Sequence, residues 1–424
     1  MSSRPVQINS DLCGEIPVPD QVSAWLRGDS GMVGWGSAAY LSPAGRGRFG
    51  QADDWWREIC ATAEIDDRVG LAGSGLVAFA SFAFADRPGL SSIVVPEMIL
   101  GRSAGGAWLT TVRPEGRPPG VRQVERVRSP GTVRFGGGAV SADRYRELVR
   151  AAVRRIEAGE VAKVVLARDQ LATAERDIDP RYLLRRLTSA NRDCWTFCVQ
   201  GLVGSTPEML LRRTGDRIFS RVLAGTSFPG RWPAGAPAEL SGSSKDRSEH
   251  TYAVQSVLNG LAPFTSRLEA PERPAVLDLP TVTHLATDVH GELTEDAPSL
   301  LAMVEALHPS AAVGGTPTEA ALDLIGRLEP RDRGRYAGPV GWVDAAGDGE
   351  FGIALRCGQL DGPRARLFAG CGVVARSDPD LEAAEAGAKF RTFSDALCAH
   401  PSTEHLSTEH PSTMAAETQT RGSG

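Results

Sequence analysis

Lys163 stands inside the short apolar run Val161–Arg168, where a strand would partly bury its ammonium group. Burial lowers a lysine pKa, which is what a general base working near neutrality needs. The run taken alone favours an outward-facing edge lysine. Glu208 is the complementary case, following the turn Gly204-Ser205-Thr206-Pro207 and preceding the apolar segment Met209-Leu210-Leu211. A carboxyl held against an apolar strand can keep its proton and act as an acid, although a surface glutamate at a strand start is the commoner arrangement. Near the far end of the chain, Glu382, Glu385 and Lys389 fall at i, i+3 and i+7 and share one helix face. An ordinary surface pair between Glu385 and Lys389 explains that spacing equally well. Lys245-Asp246-Arg247-Ser248-Glu249-His250 supplies a second acidic cluster on a predicted helix. Oxygen ligands from two helices with open positions suit Mg2+, which keeps waters and takes few carboxylates. His284 and Arg356 lie in predicted strands and could hold a carboxylate substrate, though core histidines and surface arginines are common.

Other chemistries are excluded by what surrounds their motifs. Gly370-Cys371-Gly372-Val373-Val374-Ala375 has the glycine pattern of a dinucleotide loop, but a strand runs through it and only one helix follows. No GxxxxGK[ST] phosphate cradle occurs, and Ser241-Gly242-Ser243 lacks the flanking glycine of a serine-hydrolase elbow. Acids and bases are interspersed at a net charge of −6, unlike the clustered Lys and Arg of a nucleic-acid surface. No run approaches the roughly 18 apolar residues of a membrane helix, and the first residues carry no secretion signal. Seven scattered cysteines, never in a CxxC pair, argue against disulfides or structural zinc and fit a reducing cytoplasm.

The elements that must position these groups are legible in outline. Before about residue 125, short apolar segments such as Gly75–Phe84 and Ser92–Leu100 alternate with Gly and Pro, which reads as β-rich. Arg113–Gly137 reads as a long connection. Tyr145, Leu148, Val149, Ala152, Val153 and Ile156 then repeat at helical spacing, with Ser141 as cap and Gly159 as stop. Strands are predicted at Val161–Arg168, Thr196–Val203, Glu208–Arg213, Ile218–Leu223, Gly338–Val343, Phe351–Leu360 and Ala365–Ala375. Helices are predicted at about 238–261, 298–307, 317–328 and from Asp378-Pro379 onward. Thr316-Pro317-Thr318-Glu319 reads as a capping box with proline at the first helical position. Strands in runs, with helices grouped between them, predict an α+β fold with antiparallel sheets. From His400 the polar Ser-Thr-Glu-His repeats read as a disordered tail, 399–424.

Ten segments in order resemble the chorismate-utilising enzymes, a family that includes isochorismate, salicylate, anthranilate and aminodeoxychorismate synthases. They are KVVLAR, GSTPEMLL, LAGT, SSKDRSEH, HLATDVHGEL, LHPSAAVGGTPTEAA, YAGPVGW, IALRCG, FAGCGVV and EAAEAGAK, spread from Ser141 to Leu397. The resemblance implies two packed antiparallel β-sheets flanked by helices, with a catalytic region at 126–398 and residues 1–125 completing the sandwich. It implies Glu249 and Glu385 as Mg2+ ligands with Glu382 and Asp246 close by, the ion gripping one carboxylate of chorismate. Arg356, Lys389 and backbone amides near Gly370 and Gly372 would hold the other. Gly225, Thr226, His284, Ala312 and Tyr336 complete the implied substrate site.

Within the family, Ala224 stands before Gly225 where lysine-nucleophile members carry their lysine, so covalent catalysis is not expected. Ammonia-using members usually show GAPK where this chain has Gly315-Thr316-Pro317-Thr318. Leu307-His308-Pro309 and Val340-Gly341-Trp342 are similar to the isochorismate-forming branch. The implied reaction is conversion of chorismate to isochorismate, with Lys163 activating a water that attacks C2 and Glu208 protonating the leaving C4 hydroxyl. Thr226, Ser248 and Tyr336 depart from that branch, so a salicylate-forming enzyme and an ammonia-dependent, anthranilate-type enzyme stay as alternatives. A binding-only paralogue is disfavoured because Lys163, Glu208, Glu249 and Glu385 occur together. A monomer is expected, and menaquinone and siderophore pathways both stay open.

Overall fold

The computed structural model describes residues 1–8, 11–114, 124–227 and 243–398. The expected tail and the start of the helix expected at 238–261 lie outside these residues. Two large sheets face each other, as an α+β sandwich requires. The larger runs Val133–Gly137, Lys163–Ala174, Arg364–Val373, Cys357–Asp361, Leu202–Thr206, Trp195–Val199, Ser23–Arg27, Ser30–Trp35, Met98–Ser103, Gly106–Thr111, Ser2–Val6 and Asp66–Asp67, with Gly315–Thr316 added beside Lys163–Ala174. The smaller runs Thr265–Glu269, Thr283–Leu293, Arg217–Ser227, Met209–Thr214, Gly349–Ile353, Pro339–Asp344, Val77–Ser81, Ser92–Val95 and Ala39–Leu41, with Ala275–Asp278 added beside Thr283–Leu293. Among the described strands only Ser2–Val6 and Asp66–Asp67 pair in parallel. Strands from before residue 125 enter both sheets: Ser23–Arg27 pairs with Trp195–Val199, and Val77–Ser81 with Pro339–Asp344.

Seven α-helices in the described residues cover the sheets. Ala142–Glu157 forms as its periodicity predicts: the Ser141 hydroxyl accepts from the Arg144 amide, and Tyr145, Leu148, Val149, Ala152 and Ile156 are buried. Two helices, Arg48–Thr62 and Pro180–Ala190, are absent from the sequence reading. The second carries a start signal that was there to be read, Asp179 capping with Pro180 behind it. No described helix is long and apolar enough to cross a membrane.

Three local readings are corrected. Thr196–Val203 is not one strand. It is a hairpin between Trp195–Val199 and Leu202–Thr206, turning at Gln200 and Gly201, both with positive φ (47° and 73°) as a two-residue hairpin turn requires. Phe351–Leu360 also breaks, here into Gly349–Ile353 and Cys357–Asp361 of different sheets, so Arg356 lies in the gap and not in a strand. The capping box at 316–319 does not form. Thr316 pairs with Lys163 in the sheet, and Pro317 occupies the cap position with no side-chain bond, leaving Thr318 to begin the helix Thr318–Leu328.

The second correction matters most for the site. Between residues 206 and 209 the chain passes from the larger sheet to the smaller, and between 353 and 357 it passes back. The crossings lie side by side: the Ser205 amide donates to the Arg356 carbonyl at 3.3 Å, and the Ile353 amide to the Glu208 carbonyl at 3.3 Å. Each crossing leaves ladder geometry long enough to turn one charged side chain into the space between the sheets.

Candidate active site

That space is a pocket of about 560 Å³, counting its open mouth. Glu208, Thr226, Glu249, His284, Ala312, Tyr336, Arg356, Gly370, Gly372 and Lys389 line it, together with Val165, Pro207, Leu223, Ala224, Val313, Arg333, Ala337 and Leu355. Lys163, Gly225, Asp246, Glu382 and Glu385 are outside this lining: Lys163 stands behind Glu249, Gly225 packs against Asp246, and Glu385 joins the wall through its ion pair with Lys389. The residues the sequence reading missed are mostly apolar walls, which carry no chemical signature of their own. Arg333 is the exception. Its guanidinium donates to the Val165 and Val313 carbonyls and to Glu329, tying the pocket wall to the helix Thr318–Leu328.

Lys163 is 0% exposed. Its Nζ lies 3.5 Å from Glu249 Oε1 and 3.5 Å from the Glu249 carbonyl oxygen. Burial pulls its pKa below the ordinary lysine value, and the nearby Glu249 and Glu208 charges offset only part of that. Glu208 moves the other way. Burial pushes its carboxyl up to about 8, against the Leu223 amide and the charges of Lys163 and Arg356. A carboxyl on the pocket wall with a raised pKa and a lysine just behind that wall with a lowered one therefore lie within reach of each other's charge. Gly372 makes room for Glu249 and Lys163, because a Cβ there would collide with the Glu249 carboxylate and lie 3.0 Å from Lys163 Cε.

A basic wall stands on the strand crossing and the smaller sheet. Arg356, at φ 49°, donates through Nη2 to His284 Nε2 at 2.8 Å. That leaves the imidazole proton on Nδ1, near the Gly225 carbonyl (3.3 Å) and the Thr226 hydroxyl (3.2 Å). Burial, then Arg356 and Lys389, holds His284 well below its usual pKa, so it stays neutral and keeps accepting from Arg356. Tyr336 is fixed by stacking on Phe368, with ring centroids 5.1 Å apart. Gly225, at φ 75°, lets the helix Ser244–Leu261 close in, since a Cβ there would stand 3.0 Å from Asp246.

The acidic margin is built by the first turns of Ser244–Leu261 and Pro379–Cys398. Ligand atoms of Glu382, Glu385 and Cys371 lie within 4.8 Å of one another. Lys245 bonds Glu382 Oε1 at 2.5 Å, and Lys389 bonds Glu385 at 2.7 Å. Glu382 Oε2 is buried with no hydrogen-bond partner. Burial pushes Glu382 up to about 7, with Lys245 pulling down and Glu385 pushing up. Several buried carboxylates, one with an open oxygen, fit a hard divalent cation. Cys371 does not add a soft ligand, because burial raises its pKa and keeps it a thiol.

Comparison with known proteins identifies the family. The profile of the family described as chorismate binding enzyme matches residues 125–398. Isochorismate synthase DhbC of Bacillus subtilis is 38% identical over 267 residues, 60% of this chain and 67% of that protein. A salicylate biosynthesis isochorismate synthase of Pseudomonas aeruginosa is 33% identical over 408 residues, covering 88% of this chain and 84% of that one. The crystal structure of a 2,3-dihydroxybenzoate-specific isochorismate synthase from Bacillus anthracis superposes with a TM-score of 0.75 at 28% identity, covering 91% of this chain and 98% of that one.

Proposed function

The chain belongs to the chorismate-binding enzyme family, and from that premise we propose that it converts chorismate to isochorismate. The observation that carries the reading is the buried pair at this pocket, a lining glutamate raised to about 8 and, behind Glu249, a lysine with lowered pKa. That is the protonation pattern an allylic displacement needs, and it is the activity for which the relatives above are named.

In the proposed reaction neutral Lys163 takes a proton from a water, whose oxygen forms a bond to C2 of the ring. Both ring double bonds shift, from C1=C2 to C1=C6 and from C5=C6 to C4=C5, the C4–O bond breaks, and Glu208 gives its proton to the departing hydroxyl. One water enters and one leaves, so the product is an isomer of the substrate. Arg356, steadied by His284, and the backbone at Gly370 and Gly372 receive one carboxylate. Mg2+, held by Glu249 and Glu385 with Glu382 and Asp246 close by, would neutralise and orient the other. Lys389 stays charged beside Glu385 and so serves binding, since the amine of a base has to be free of its proton.

Turnover in water enriched in oxygen-18 tests this scheme. Isochorismate should carry one heavy oxygen, at C2. Unlabelled isochorismate would rule out attack by water, and salicylate as a further product would mean that the same pocket also expels pyruvate.

A further inference from the structure

Tyr145 lies in the first turns of the helix Ala142–Glu157, on the side of the larger sheet away from the pocket, and none of it is exposed. Its hydroxyl donates to the Leu166 carbonyl at 3.0 Å and accepts from the Cys371 amide at 3.2 Å. Leu166 and Cys371 are direct partners across two neighbouring strands. One of these, Lys163–Ala174, carries Lys163. The other, Arg364–Val373, carries Gly370 and Gly372 on either side of Cys371.

Side chains alternate along a strand. Cys371 therefore points to the helix side, where its Sγ reaches the Glu382 carbonyl at 3.3 Å, while residues 370 and 372 face the pocket. Both must be glycine. A Cβ at 370 would stand 2.5 Å from the Leu166 carbonyl, and one at 372 would collide with Glu249. Two residues without side chains leave this piece of strand with little packing to hold it. Lys389 steadies one end by donating to the Gly370 carbonyl at 2.9 Å. Tyr145 grips the middle.

We propose that Tyr145 is a positioning residue for the reaction: its phenol pins the Gly370-Cys371-Gly372 backbone to the Lys163 strand and so sets the wall that receives a substrate carboxylate. The inference rests on the proposed function for its substrate. Its anchor is a helix capped by Ser141 that buries Leu148, Val149, Ala152 and Ile156 beside it. Burial, and then Cys371, raises the phenol pKa well above its ordinary value, so the grip does not titrate where the enzyme works.

The test compares Tyr145→Phe with Val149→Ala, which loosens the same buried helix face without touching a strand hydrogen bond. Tyr145→Phe should raise the KM for chorismate about threefold to tenfold, the worth of one to two hydrogen bonds, with kcat and the pH profile close to wild type. Val149→Ala should lower the melting temperature and leave KM alone. An unchanged KM in Tyr145→Phe, or an equal rise in both variants, would overturn the proposal. Hydrogen exchange on the wild-type protein gives a reading that does not depend on any variant folding. The Cys371 amide should be strongly protected, and exchange as fast as in an exposed turn would contradict the clamp. A wild-type protein that ignored chorismate would defeat the proposed function while leaving that exchange result to be read by itself.

Discussion

The two ends of the pocket are made of the same residue types and come out chemically opposite. At one end the Lys163 ammonium is 3.5 Å from its nearest carboxylate, and burial wins, so its pKa falls. At the other end Lys245 and Lys389 sit 2.5 Å and 2.7 Å from Glu382 and Glu385. There burial pulls down too, but neighbouring charges win and both lysine pKa values rise. A closer carboxylate and a different set of acidic neighbours separate the lysines whose pKa rises from the one whose pKa falls. In the proposed reaction proton transfer belongs to the first end and charge recognition to the second.

The sharpest way to break this division is at Lys163. Lys163→Ala should lower kcat roughly 10² to 10⁴-fold, the usual contribution of a positioned acid or base. Lys163→Arg should not restore it, because a guanidinium does not give up its proton. A wild-type rate in either variant would put the base elsewhere. Glu208→Gln should follow with a loss of similar order, and it also tests the pH profile. Glu208 must hold its proton, so the wild-type rate should fall as pH climbs through about 8. Lys163 must be neutral, so the rate should also fall as pH drops through its lowered pKa. The residual rate of Glu208→Gln should lack the alkaline limb.

At the charged end, Glu385→Gln should raise the Mg2+ concentration for half-maximal rate about 10 to 100-fold and leave both pH limbs in place. A shifted limb there would mean that the two ends are one proton-transfer network. A further effect concerns stability. An unfolded glutamate ionises near 4.5, whereas folded Glu208 does so only at about 8. Between those values the unfolded chain gains by releasing a proton that the folded one keeps, so native stability falls as pH rises through that window. Glu208→Gln should therefore melt above wild type at pH 7.5, with the advantage disappearing below about pH 4.5.

The sequence made the motifs and the fold class legible, because helix periodicity and motif order are local. Ala142–Glu157 and the start of Pro379–Cys398 needed nothing more. The burial of Lys163 was not legible from its own strand, because Glu249, 86 residues away, packs on its Nζ and Gly315–Thr316 covers the strand edge. Arg356 was placed in a strand for a related reason. Nothing in Phe351–Leu360 marks a passage between sheets, yet that passage gives the arginine its left-handed backbone and its aim at His284. The acidic helix face could be read as surface until both helices were seen to bury it.

The most direct test of the central claim is to incubate the purified protein with chorismate, with Mg2+ or with EDTA, and to separate the products by chromatography. Isochorismate with Mg2+ and none with EDTA is the predicted result. No conversion, or conversion only when ammonia is added and to an aminated product, would contradict it.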